Sequence, residues 1–515
     1  MQATAFIHSY ILAAIIALVE GVPVAAPVPI TSSLTPTTVL PTTISNTSMA
    51  PAVVGYLLLD VATGFAKLHA LANASASLPL TRLVLSFARP DLVYFPTSNT
   101  LQHVGLGLVN ASTTAANSGA ASDYGFTELK TVVGKLQAGG VEVFLSLGGW
   151  NYNCFAYLYM KNSIAYFVSG PNAWKITEYG RGNSVGCTEA NQYCYVCEPP
   201  VEGTTLSDFS IFPEPSNSAT WKLAQSFVTA RAGGESPVWH PELYGGAEYT
   251  DSTGNATVPG SSLWKQLLRD PYQDAVLLVK DLGLDGIDLD YEEIWHADTF
   301  RSGSGVGPFK LDQTVYKYSA IAQDLIINIQ AIYPSCKLSV AASAAGAWTG
   351  NWWGGNLKGL WYYSNLWFPS VTQFITVGPN AGGVGVMTYD LSKNPTFHEC
   401  PSSPETCTLS GQSAFYLSTY ASLIPSARIG FEVGVPAYPD YTHDAVNQLP
   451  LTQIELSQML QFATGKGGIV WELYKSAGNG IGNVNASALL QQVCDAALGG
   501  STNMVARCGG VIPQF

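Results

Sequence analysis

The segment Asp285-Gly286-Ile287-Asp288-Leu289-Asp290-Tyr291-Glu292 places acids at three alternate positions, 288, 290 and 292. Side chains alternate along a β-strand, so Asp288, Asp290 and Glu292 share one face above Gly286, and Ile287, Leu289 and Tyr291 share the other. The apolar set needs a buried face of its own, which turns the acids toward an interior. Burying carboxylates is costly. Crowded carboxylates also repel, so at least one holds a proton near neutral pH. A carboxylic acid with a raised pKa is what general acid catalysis requires. A surface strand with solvated acids is the alternative, and the apolar partner face argues against it.

A strand with inward acids needs a sheet covered on both sides. Short β-branched apolar runs recur from residue 51 onward, at 53–59, 82–87, 141–147, 286–291, 338–343, 383–389, 428–433 and 468–471. Several follow helix-like stretches, most clearly 274–284 before the fourth run. Repeated βα units imply a parallel sheet, and eight of them imply an α/β fold of the (β/α)8 barrel type. A doubly wound open sheet fits the rhythm but lacks its phosphate-binding turn. Between the third and fourth runs lies a long insertion, residues 151–262. On a barrel it would leave the C-terminal face, where active sites sit.

Composition narrows the class. The chain has 515 residues, 47% of them hydrophobic, 11% charged, and a net charge of −13. An acidic chain without basic runs is a poor partner for nucleic acid or anionic membrane surfaces. Nucleotide fingerprints are absent, and the seven histidines show no ligand spacing, so neither cofactor nor metal is expected. Residues 5–19 form an apolar run too short for a confident span, followed by small residues, so 1–26 reads as a signal peptide. Residues 27–50, rich in Pro, Ser and Thr, read as an extended linker. The catalytic unit would then be 51–515. Sequons at Asn46, Asn73, Asn110, Asn255 and Asn485 fit the secretory route. Among nine cysteines, Cys400 could pair with Cys407 and Cys494 with Cys508, leaving Cys336 as a buried apolar residue. Cys154, Cys187, Cys194 and Cys197 could form two bridges, with a zinc site as the rival reading.

With these residues in place the chain resembles glycoside hydrolase family 18, the chitinase family. The family signature DGxDxDxE stands complete at 285–292. Ser146-Leu147-Gly148-Gly149 matches its SxGG, and Met387-Thr388-Tyr389-Asp390 matches its MxYD. Trp471 follows a Gly-Gly pair as the family's terminal tryptophan does, and Tyr56 lies where members often place an aromatic. The resemblance spans about residues 51–492, in the family's order.

The resemblance implies the roles. Glu292 would protonate the glycosidic oxygen. Asp290 would orient the substrate's N-acetyl group, whose carbonyl oxygen attacks the anomeric carbon. Asp288 would share a proton with Asp290, helped by Ser146 and Tyr56. Tyr389 would hydrogen-bond the acetamido oxygen, Asp390 would touch the same sugar, and Trp471 would form its apolar floor. Met387 and Gly149 enter as motif members. Trp150 and Trp295 follow catalytic strands and are candidate sugar platforms. Trp348 opens an aromatic-rich stretch, 348–367, in which stacking and packing are equally good readings.

Only residues 434–467 separate the last two strands, too few for the α+β subdomain that many larger family members insert there. The expected cleft is therefore open on that side, suiting endo-acting cleavage. The expected partner is chitin or another N-acetylglucosamine-containing oligosaccharide, with no membrane partner beyond the signal segment. The expected protein is monomeric and secreted, extracellular or in a cell wall. An endo-β-N-acetylglucosaminidase acting on N-glycans shares the same motifs. An inactive lectin on the same barrel is the reading from another class, and the intact acids speak against it.

Overall fold

A computed structural model of the chain describes residues 49–59, 63–88, 90, 92–102, 104–106, 123–149, 271–292, 311–349, 359–391, 407–434, 449–475, 484–499 and 505–515, with the backbone of two further short strands. Those two, Lys175–Tyr179 and Cys194–Glu198, pair antiparallel within the long insertion. The expected signal segment, all but residues 49–50 of the expected linker, most of the insertion and the side chains of its four cysteines lie outside the described residues.

Eight parallel strands close into a barrel: β1 (Ala52–Leu58), β2 (Arg82–Ala88), β3 (Glu142–Gly148), β4 (Gly286–Asp290), β5 (Lys337–Ser343), β6 (Ala381–Met387), β7 (Arg428–Glu432) and β8 (Gly467–Trp471). Spatial order follows chain order, and β8 returns to β1 with Ala52 opposite Gly467. Each expected run becomes a strand, with ends moved by at most two residues. Tyr291 and Tyr389 fall just past the strands that were expected to contain them.

The helices form the outer layer. α1 (Gly64–Asn73), α2 (Phe126–Ala138), α3 (Pro271–Leu282) and α4 (Leu311–Ile332) belong to the first half. α5 (Leu360–Trp367), α6 (Pro369–Thr376), α7 (Leu409–Ala421), α8 (Gln453–Met459) and α9 (Ala486–Leu498) follow, and a last turn, α10 (Val505–Cys508), ends the set. Local chemistry starts several of them. Asp123 accepts from the backbone N–H groups of Gly125 and Thr127 ahead of α2, both at 3.0 Å. Thr452 caps α8 by accepting from Glu455 N at 3.2 Å. Asn485 caps α9 through Ala488 N at 2.9 Å.

Two apolar clusters divide the barrel. The larger lies between strands and helices and includes Ile287, Leu289 and Tyr291. The smaller fills the interior with Ala52, Val54, Tyr56, Val84, Phe144, Tyr389 and Ile469. The alternation inferred for β4 is therefore realised: its apolar face meets the helices, and Asp288 and Asp290 are buried inside. Phe144 occupies the space that a side chain at 286 would need, since a Cβ there would lie 2.6 Å from the ring. This is the physical reason for the glycine beneath the acids.

Cys494 and Cys508 form the expected disulfide, closing α9 onto α10. Closing a loop of this length stabilises by about 3 kcal/mol in the chain-entropy account. Cys336 is a buried free thiol, as expected, and Cys407 is disulfide-bonded, while its expected partner Cys400 lies outside the described residues. No described helix is long and apolar enough to cross a membrane.

Candidate active site

The first acid of the signature is structural. Asp285 accepts hydrogen bonds from Val143 N at 2.8 Å and Gln137 Nε2 at 3.0 Å, which pins the start of β4 to β3 and α2. From that anchor the register sets Ser146 opposite Asp288 and Gly148 opposite Asp290. At the end of β3 the chain closes on the Asp290 backbone, and Gly149 N donates to Asp290 O at 2.9 Å. Gly148 has a φ of 105°, and a Cβ there would collide with that carbonyl. Gly149, at φ 78°, would drive a Cβ into the Phe87 ring. The two glycines of SxGG are thus required by a close backbone approach.

Asp288 accepts three hydroxyl hydrogen bonds: Tyr56 OH at 3.1 Å, Ser146 Oγ at 2.9 Å and Ser339 Oγ at 2.6 Å. Burial raises its carboxyl above the ordinary range, and the three hydroxyls and the Arg82 guanidinium pull in the other direction. Asp290 is raised well above that range by burial, then by the charges of Glu292 and Asp288, and by its hydrogen bond to Glu292. Among the described residues no donor meets Asp290 Oδ1. The acid ladder is therefore graded: Asp288 is the best hydrogen-bonded of the acids, and Asp290, raised furthest, is the one that favours a proton, facing half-buried Glu292.

Ser339 was not singled out in the sequence, where it is one serine in a strand without a motif. It supplies the shortest of the three bonds. Ser339→Ala is expected to lower stability near neutral pH by about 1–3 kcal/mol, the cost of leaving a buried charged acceptor underbonded. Urea unfolding measures this, and an unchanged midpoint would mean that Asp288 is not the anion.

Tyr389 stands beside the ladder. Burial, followed by the charges of Asp290, Asp390, Glu292 and Glu432, pushes its phenol far up, so it stays a neutral O–H donor. Thr388, inside the MxYD motif, fixes the turn: its hydroxyl donates to Gly430 O at 2.7 Å and accepts from Gly430 N at 3.0 Å. Gly430 also leaves room for Tyr389, whose Cε1 would lie 2.9 Å from a Cβ at that position. Asp390 has a φ of 51° and a side-chain hydrogen bond to Glu432. Burial, and then the Asp390 charge, raises Glu432 well above the carboxylate range, against the pull of Lys475, with which it forms an ion pair. Glu432 and Lys475 were also missed by sequence reading, because only barrel closure brings them together.

Trp471 lies over the interior cluster. Its ring stacks on Phe87 with centroids 5.6 Å apart and meets Tyr56 edge-on at 5.9 Å. Met387 packs partly buried against the same cluster. Trp348 instead packs on the outer cluster, edge-on to Phe415 at 5.7 Å and to Tyr416 at 6.5 Å. Of its aromatic neighbours, Trp361 is wholly buried core. Trp150 and Trp295 lie outside the described residues. Among the described residues no cluster of three or more His, Cys, Asp or Glu could hold a metal.

No family model matches the chain, and no curated protein matches it. Among solved structures it is similar to a GH18 chitinase from Pseudoalteromonas aurantia, at 11% identity over 86% of this chain and 98% of that one, with a TM-score of 0.36. It is similar to a chitinase from Bacteroides thetaiotaomicron at 13% identity over 87% and 97%, with a TM-score of 0.35. It is also similar to a fungal endo-β-N-acetylglucosaminidase of glycosyl hydrolase family 18, at 11% identity over 87% and 99%, with a TM-score of 0.36. At these identities and TM-scores the likenesses carry no argument about the site, and the functional reading stands on the residues.

Proposed function

We propose that this chain is a glycoside hydrolase that cleaves β-1,4-N-acetylglucosamine linkages in chitin by substrate-assisted, retaining hydrolysis. The observation that carries this reading is the graded acid ladder on β4. Asp288 is held by three hydroxyls, Asp290 is buried and hydrogen-bonded to Glu292, and Glu292 stands outermost, beside Tyr389.

In the first step Glu292 delivers its proton to the glycosidic oxygen while the acetamido carbonyl oxygen attacks the anomeric carbon. The bond to the leaving sugar breaks as the bond to that oxygen forms. Asp290 accepts from the acetamido N–H, and the Tyr389 hydroxyl holds the carbonyl oxygen in line. Glu292, now a carboxylate, takes a proton from water, whose oxygen reopens the intermediate with net retention. Trp471 offers an aromatic face to the C–H face of the sugar, with Asp390 alongside. Monomeric action and secretion belong to the same proposal. Secretion is supported by the apolar run at 5–19, the Pro/Ser/Thr-rich segment at 27–50 and the Cys494–Cys508 bridge.

The test is incubation with chitohexaose and, separately, with an N-glycosylated protein, with products read by mass spectrometry. Chitobiose and chitotriose are the expected products. Glycan loss leaving one N-acetylglucosamine on Asn would move the substrate to N-glycans, and binding without cleavage of either would overturn the enzyme reading.

A further inference from the structure

The N-terminal end of the barrel holds charges that the mechanism above does not use. Arg82 begins β2, Glu142 begins β3, Lys337 begins β5 and Arg428 begins β7. Arg82 donates to Glu142 Oε2 from Nε at 3.0 Å and from Nη2 at 2.7 Å, and Lys337 forms an ion pair with the same carboxylate. Both arginines also donate to Gly382 O, at 2.7 and 2.9 Å, and both are almost fully buried. Burial alone would raise the Glu142 carboxyl, but Arg82 and Lys337 hold it below the usual range, so it is ionised. Burial, followed by the neighbouring Arg82, brings the Arg428 guanidinium down to about 9, which still leaves it charged in acid or neutral solution. Three cations therefore face one carboxylate inside a closed barrel.

This floor connects directly to the acids. The Arg82 guanidinium lies 3.9 Å over the Phe144 ring, and the same ring covers Gly286. Gly286 is in register with Phe144 and with Lys337, and Asp288 is the next inward residue of β4. Two residues of strand rise, about 6.6 Å, separate those layers along β4. The two arginines and Phe144 are buried, so charges interact more strongly across this layer than at a surface.

We propose that the Arg82–Glu142–Lys337–Arg428 floor is a positioning device for the acid ladder, its excess positive charge holding the negative charge of the Asp288–Asp290 pair on Asp288 and the proton on Asp290. The proposal rests on the hydrolase reading above. Glu292 adds to the bias by raising Asp290, and the Tyr56, Ser146 and Ser339 hydroxyls add to it by bonding Asp288, but none of the other titratable groups facing the pair brings a free positive charge. Tyr56 and Tyr389 are neutral phenols, Asp390 and Glu432 are acids, and Lys475 is engaged by Glu432. Arg82 is the cation whose field reaches Asp288.

The experiment compares the pH–rate profiles (kcat/KM on chitohexaose) of the wild type, Arg82→Met and Glu142→Gln. Met keeps an aliphatic stem on Phe144 and removes the charge. Both limbs of the Arg82→Met profile are expected to move up by about 0.5–1 pH unit. Both limbs of the Glu142→Gln profile are expected to move down, because that change makes the floor more positive. Opposite shifts are the diagnostic, since general loosening of the fold would not reverse sign. If Arg82→Met does not fold, Glu142→Gln decides alone, because its carboxylate is partly exposed and its loss leaves the arginines bonded to Gly382 O. Unmoved profiles, or shifts of one sign, would overturn the proposal. Infrared titration of the protonated-carboxyl band in the same proteins keeps the two readings apart. A wild type without hydrolysis overturns the enzyme reading, while a carboxyl titration that responds oppositely to the two variants still supports the floor.

Discussion

Glu292→Gln is expected to yield a folded protein that hydrolyses chitohexaose about 10²–10⁴-fold more slowly. Gln keeps the volume and the hydrogen-bonding reach toward Asp290 but has no proton to give. The loss belongs to kcat, because an acid that acts only as the bond breaks contributes little to ground-state binding. A substrate whose leaving group is a nitrophenolate needs no protonation, so its cleavage is expected to suffer far less in the same variant. Equal losses on both substrates would assign Glu292 to binding or folding and would remove it as the acid.

Asp290→Asn is expected to act in opposite directions on rate and stability. The rate falls by about 10²–10³-fold, because the group that orients the acetamido nitrogen is lost while the proton donor remains. Stability near neutral pH rises. Burial and the neighbouring charges of Glu292 and Asp288 raise the folded-state Asp290 well above its ordinary value. The folded state therefore keeps a proton that the unfolded chain releases above about pH 3.9. Stability is full below that pH and falls as pH rises toward the folded-state value. Asn removes this slope, so the variant gains at pH 7 and loses its advantage below about pH 4. Melting temperatures across that range measure it, and parallel curves would mean that Asp290 carries no strained proton. Because Glu292 must hold a proton at the start of turnover, hydrolysis is expected to peak below neutral pH, and an alkaline optimum would contradict its role as the acid.

The barrel was legible because each strand is buried on both faces, which writes an apolar run into the sequence at 53–59, 141–147 or 338–343. The catalytic strand was legible for the opposite reason: Asp288, Asp290 and Glu292 interrupt such a run at a spacing of two. Other parts of the site left no local trace. Ser339 is an inward serine whose function depends on the register that sets it beside Asp288. Glu432 and Lys475 meet only once β7, β8 and the turn beyond them are in place. Arg82, Glu142, Lys337 and Arg428 each look like an ordinary polar residue opening a strand, and converge only because the sheet closes. Trp361 shows the converse: it belongs to an aromatic stretch suited to sugar stacking, yet the structure buries it in the shell.

The seam between β8 and β1 has a consequence for how the protein is made. Ala52 pairs with Gly467, so the first strand waits for the last before its backbone is satisfied on both sides. At synthesis rates of 5–20 residues per second, the delay is roughly 20–80 s. Throughout that interval the nascent sheet is an open ribbon with two sticky edges, which readily recruit other chains. Closure therefore waits for Gly467 to emerge, and any truncation before Gly467 leaves β1 without its β8 partner however many of the earlier strands the product retains.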